Sequence, residues 1–218
     1  PARGPSGETL AQDWVQIGPR KGGRRPRRML VLASGTHGLE GFCGAGIQHA
    51  MLEHWMQHGA PARPGNASGV NPWPWGLPSV REWPDDFALV ILHAVNPFGF
   101  SWLRRVNESN VDLNRNSLAR FDTSLVHPDY EALYELINPA DLDPAQEERR
   151  WQAIGQFVAE RGERALQQAV SEGQYKYPAG MQFGGQKLEA SIANLHSLVD
   201  EHLAGVEQAF WIDYHTGL

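Results

Sequence analysis

Three short apolar runs limit most strongly what this chain can fold into: RRMLVLASG (27–35), FALVILHAV (87–95) and EQAFWIDYH (207–215). None approaches the roughly 20 apolar residues of a membrane-spanning helix. RRMLVLASG, a continuous apolar run bounded by Gly, suits a strand covered on both faces, FALVILHAV reads as a second buried strand and EQAFWIDYH as a third strand. The segments between them change period. GFCGAGIQHAMLEHWM, after Glu40, has apolar residues at helical spacing, with Phe42, Ile47, Met51 and Trp55 as inward positions. Residues 144–173 read as a long helical region interrupted near Gly162, and KLEASIANLHSLVDEHL as a further amphipathic helix. Strands alternating with helices, and no repeat, predict an α/β fold with strand directions left open.

At 218 residues and 41% hydrophobic, the chain suits a single domain with a core of its own. The net charge is −6, and setting aside the six basic residues of PRKGGRRPRR (19–28) leaves −12 on the rest. Nucleic acid is therefore not expected as a general partner, and the basic run reads as a solvated loop leading into the first strand, with a phosphate-binding patch as the alternative. The N-terminus, PARGPSGETL, has neither a basic start nor an apolar segment. No membrane association is expected. A lone Cys43 excludes an internal disulfide, and a cytoplasmic location is the expectation. Residues 59–86 are dense in Pro and Gly and predict a long surface loop, in which Trp73, Trp75 and Trp83 either line a pocket or pin the loop to the body.

The first run ends in LASGTHGLEG, where His37 and Glu40 stand three apart among Gly35, Gly38 and Gly41. His-x-x-Glu alone is weak, because nine His in a chain of this length give about 0.6 chance matches. Position strengthens it. Both residues lie in a Gly turn at the carboxyl end of a predicted strand, where α/β sheets place ligands, and His215 follows AFWIDY in the same way. Two neutral imidazoles and one carboxylate form a three-ligand set that leaves one zinc position open, as catalytic zinc sites require. Asp213 either orients His215 or faces solvent.

Between these halves lies NPFGFSWLRRVNESNVDLNRN (96–116). The chain resembles the zinc carboxypeptidase superfamily, which shares a His-x-x-Glu pair, Asn-Pro-x-Gly-Phe, Arg-x-Asn leading into Val-Asp-x-Asn-Arg-Asn, and a His after a strand. All stand here in order: His37 and Glu40, Asn96 to Phe100, Arg105-Val106-Asn107, Val111 to Asn116, and His215. SGTHGLEGFCG and DYHTGL look most like a bacterial branch of that superfamily; QYKYPAGMQFGG (174–185) is similar to that branch too, without an assignable role.

The resemblance implies a mixed β-sheet flanked by helices, a single catalytic domain over 1–218 that continues past both ends, and a bound Zn2+ held by His37, Glu40 and His215. It further implies that Asp112 accepts the second ring proton of His37. Asn114 and Arg115 would grip a substrate carboxylate. Arg105 would stabilise the oxyanion, with Arg104 taking that part if the register is shifted by one. In an extended segment Asp112 and Asn114 would point the same way. The family's general base is a Glu on a strand downstream of the third ligand, so it is expected beyond Leu218. The activity implied is amide hydrolysis by a carboxypeptidase-type enzyme acting on a small peptide. An N-acyl amino acid deacylase of the aspartoacylase type and a non-catalytic binding domain are the alternatives.

Overall fold

The computed structural model describes residues 2–19, 25–58, 85–141 and 143–217, and within helix α1 the side chains of 55–58 lie outside what is described. The expected loop tryptophans Trp73, Trp75 and Trp83 and the inward Trp55 therefore fall outside the described residues, as does the middle of the basic run. The chain divides into two compact units, Pro1–Asn107 with Ala190–Leu218, and Glu108–Glu189.

The first unit is an α/β fold on a four-stranded mixed sheet, in the order β1 (Asp13–Ile17), β3 (Phe87–His93), β2 (Arg28–Ser34), β4 (Gln208–Tyr214). β1 runs antiparallel to β3, while β2 is parallel to both β3 and β4. The apolar runs form the expected strands. β3 is buried along its centre, whereas β4, last in that order among the described residues, has Phe210, Trp211 and Ile212 exposed.

Side chains alternate across a strand, so β2 and β3 serve both faces. Leu32, Leu89 and Ile91 pack with Met51 of α1 (Gly41–His58), joined by Ile47 and Leu52. Full burial of each such side chain contributes about 1.5–3 kcal/mol. Helix α1 is also pinned by a polar side chain: Gln48 donates through Nε2 to the carbonyls of Leu32 (3.0 Å) and Leu92 (3.2 Å) and accepts from Ser34 Oγ (2.8 Å). Phe42, expected to face inward, is instead 49% exposed and stacks on Phe100 with centroids 4.3 Å apart. It sits in the first turn of α1. Helix α6 (Ala190–His202) buries Ile192 and Leu198, and Gln12 donates to its Ser191 carbonyl at 3.1 Å. Arg27 and Arg28, at the end of the basic run, form exposed ion pairs with Glu207 and Asp86, in keeping with the solvated reading of that segment.

The second unit is helical. α3 (Pro128–Ile137), α4 (Pro144–Arg161) and α5 (Glu163–Ser171) pack around Tyr130, Leu133 and Ala169. α3 and α4 each begin at a side-chain cap followed by Pro, His127-Pro128 and Asp143-Pro144, a sequence-encoded start in which Pro forgoes a hydrogen bond the first turn lacks anyway. The expected break near Gly162 is real: its φ of +86° ends α4 and admits α5. No helix among the described residues is long and apolar enough to cross a membrane.

Candidate functional site

His37 and His215 follow the carboxyl ends of two adjacent parallel strands, whose register pairs Ser34 with Tyr214. Sequence separation is thus cancelled by sheet pairing. After β2 the chain turns at Gly35 and Gly38 into a short 3-10 turn, Gly38–Glu40, that carries Glu40. The turn is set by close packing. Gly38 has φ +45°, and a Cβ there would lie 2.2 Å from the Arg104 carbonyl oxygen and 2.3 Å from the Gly99 carbonyl carbon, so no other residue fits.

The segment packed against it begins at the end of β3. Val95 and Asn96 donate their amides to Ser34 O (2.9 Å) and Gly35 O (3.0 Å), so the two chains leave the sheet together. Asn96 caps α2 (Pro97–Ser101), accepting from the Gly99 amide at 2.8 Å, and its Nδ2 donates to the Arg105 carbonyl at 3.3 Å. The Asn-Pro-x-Gly-Phe segment therefore acts as a scaffold, placing the backbone of Arg104 and Arg105 beside the Gly38–Glu40 turn.

From there Arg105 reaches the site. Its Nη1 donates to Glu40 Oε1 at 2.8 Å, and its Nη2 lies 3.0 Å from His37 Nε2. Since guanidinium only donates, His37 accepts through Nε2. Arg104 meets the turn through its backbone carbonyl, which accepts from the Leu39 amide at 3.4 Å.

The His37 and His215 rings lie 4.9 Å apart, centroid to centroid, and His215 Nδ1 is 3.7 Å from Glu40 Oε2. Glu40 Oε2 also faces the amides of Thr216 and Gly217, both at 3.3 Å. Burial opposes ionisation of Glu40. The Thr216 amide, His37, the Gly217 amide and Arg105 outweigh that cost and hold its carboxyl below the ordinary range. On the far side of His215, Nε2 lies 2.8 Å from Asp213 Oδ2. Of the two sequence-level alternatives for Asp213, the structure has it bonded to the imidazole.

The donor set is chemically suited to a divalent cation: two imidazoles and an ionised carboxylate come together, and a guanidinium already bridges Nε2 of one and Oε1 of another. The present side-chain positions are not those of a metal centre. No group of three or more His, Cys, Asp or Glu among the described residues has metal-holding geometry. Arg105 occupies Glu40 Oε1 and His37 Nε2, so a cation held by those two atoms would displace it from them.

Asp112, Asn114 and Arg115 belong to the second unit. The expected extended segment is instead a 3-10 turn, Leu113–Arg115, capped by Asp112, which accepts from the Asn114 amide at 3.0 Å. Asp112 is fully buried and Asn114 exposed, so the two do not point the same way. A local hydrogen bond between an Asp side chain and the amide two residues on favours the turn over extension. Arg115 donates to the Ser171 carbonyl at 2.7 Å and lies 3.5 Å from Asp112.

The QYKYPAGMQFGG stretch supports this turn. Tyr175 donates its hydroxyl to the Arg115 carbonyl (2.8 Å), Phe183 O accepts the Asp112 amide (2.7 Å), and the fully buried Gln174 accepts from the amides of Lys176 and Tyr177. Asn116, not singled out as a role-bearing residue from sequence, donates to the carbonyls of Gly184 and Lys187, both at 2.9 Å, and accepts from the Glu189 amide at 2.7 Å.

No curated protein sequence and no solved structure matches the chain. Residues 1–218 match the model of a family described as a protein of unknown function, DUF2817, and the chain belongs to that family.

Proposed function

We propose that this protein is a zinc-dependent hydrolase of amide bonds, related to the zinc carboxypeptidases, with His37, Glu40 and His215 as metal ligands. The observation that carries this reading is the convergence of these three side chains, from positions 37, 40 and 215, at the ends of adjacent parallel strands. A zinc ion, when held there, supplies Lewis acidity toward a carbonyl and acidifies water near neutral pH. Arg105 stands beside the same atoms with a fixed positive charge and stabilises the negative charge that develops on the attacked carbonyl. Asn96 keeps Arg105 there through its carbonyl. Asn114 and Arg115 are the candidates for binding a substrate carboxylate, on the strength of the ordered motif.

The test has two parts. Wild-type protein is expected to take up one zinc per chain, and His37→Ala and His215→Ala to lose it; equal metal content in all three contradicts the assignment. Product analysis then separates the chemistries. Release of a C-terminal residue from peptides supports the carboxypeptidase reading, cleavage of N-acyl amino acids a deacylase, and zinc retained without turnover of either a binding domain.

A further inference from the structure

Thr36 immediately precedes His37, yet its side chain serves the other histidine. It is buried, 5% exposed, and its Oγ1 lies 3.0 Å from Asp213 Oδ1 and 2.8 Å from Asp213 Oδ2. A hydroxyl has one proton to give, and here it is shared across both carboxylate oxygens. Asp213 Oδ2 in turn faces His215 Nε2 at 2.8 Å. An ionised carboxylate only accepts, so the imidazole donates through Nε2.

We propose that Thr36 is a positioning residue for His215: its hydroxyl locks the Asp213 carboxylate, which holds His215 with Nε2 protonated and Nδ1 turned to Glu40. This inference rests on the metal-centre reading above. Nδ1, 3.7 Å from Glu40 Oε2, is then the nitrogen with a lone pair that would be available to a metal ion. His215 lies just past β4, whose pairing with β2 ends at Ser34 and Tyr214. Thr36 belongs to the turn after the neighbouring strand, so the Thr36-Asp213-His215 chain ties the third ligand to the turn that carries the first two. Carboxylates that orient a ligating imidazole in this way change metal affinity about 10–100-fold when lost.

Zinc affinity, measured by chelator competition on the full chain, tests the proposal. Thr36→Val keeps the branched shape and removes the hydroxyl; it should weaken zinc binding about 10-fold, while Thr36→Ser should restore it. A second readout needs no metal: in metal-free wild-type protein, imidazole nitrogen shifts should report His215 protonated at Nε2, and Thr36→Val or Asp213→Asn should populate the Nδ1-protonated form. Asp213→Asn keeps the size of the side chain and serves if Thr36→Val does not fold. Unchanged affinity and tautomer in Thr36→Val, with zinc still bound by wild type and lost from His215→Ala, overturn this proposal alone. Equal weakening by Val and Ser overturns it too, since packing rather than the hydroxyl would then matter. Failure of wild-type protein to bind zinc overturns the metal-centre reading, and the positioning role with it.

Discussion

Arg105 and Glu40, 65 residues apart, are joined by a 2.8 Å hydrogen bond within an ion pair in which Glu40 is mostly buried, its side chain 20% exposed. The bond gives Arg105 two separable roles. In stability, replacing it with Ala removes a partner from a partly buried carboxylate and should cost about 1 kcal/mol, read by urea denaturation; exposed pairs contribute about 0–1. In turnover, if Arg105 is the oxyanion donor of the proposed hydrolase, its loss should lower kcat about 10²–10³-fold. Arg105→Lys keeps the charge but cannot bridge Glu40 and His37 with two nitrogens, so it should recover stability more fully than kcat. Equal recovery of both would argue against a special role for the planar fork.

Gly38 and Gly155 should respond to Ala in opposite directions. At Gly38, with φ +45° and backbone atoms 2.2–2.6 Å from the new Cβ, the Gly38–Glu40 turn must move or strain, at a cost of about 3 kcal/mol or more. Gly155 lies within α4 with nothing inside 4 Å of a new Cβ, so Ala there should stabilise by about 0.5–1 kcal/mol. Thermal or urea unfolding of the two variants checks both signs, and if His37 and Glu40 hold zinc as proposed, metal uptake should fall for Gly38→Ala only.

What can be read from sequence follows from where the physical signal lies. Strands β2, β3 and β4 and the break at Gly162 carry local signals, unbroken apolar runs and a helix-ending Gly, and these are legible. β1, DWVQI, is not: it is five residues long, partly exposed, and holds its place by antiparallel pairing with β3 rather than by an apolar run of its own. The meeting of His37, Glu40 and His215 is legible because two strand ends and one 3-10 turn suffice to bring them together. Gln48, Thr36, Asn116 and Gln174 have no role that the sequence assigns, since each is a buried polar side chain whose meaning depends on which carbonyl or side chain the fold brings to it. The Asp112 to Arg115 turn defeats the expectation of alternating side chains because the Asp cap decides the backbone there.

His93 supplies a pH dependence separate from the candidate metal ligands. Burial lowers its pKa below the ordinary value, only partly offset by the charge of Asp13. A depressed folded pKa means the unfolded chain binds the proton more readily, so this contribution is fully present above the unfolded value of about 6.5 and is lost as pH falls through the folded pKa. His93→Asn should therefore narrow the difference in unfolding free energy between about pH 7.5 and pH 5. An unchanged difference would mean that protonating His93 costs the fold nothing.

Asn116 tests whether the second unit is held by polar contacts as much as by its apolar cluster. The side chain is fully buried and uses both ends, giving two hydrogen bonds to the carbonyls of Gly184 and Lys187 and taking one from the Glu189 amide. Asn116→Ala leaves three backbone groups without that partner, each costing about 1–3 kcal/mol if water cannot replace it. A loss of about 3 kcal/mol in unfolding free energy is the expected result. Amide exchange should quicken first at Glu189, whose amide loses its acceptor, and next at the Asp112 amide, whose acceptor Phe183 directly precedes the Gly184 that Asn116 holds. Asn116→Asp separates the roles of the two ends: its carboxylate can still accept from the Glu189 amide but meets the two carbonyl oxygens as a further acceptor. It should therefore destabilise more than Ala at about pH 7, and less as the pH is lowered and the new carboxyl is protonated and can donate. If Asp proved milder than Ala at neutral pH, the two carbonyls would not be the groups that fix the loop.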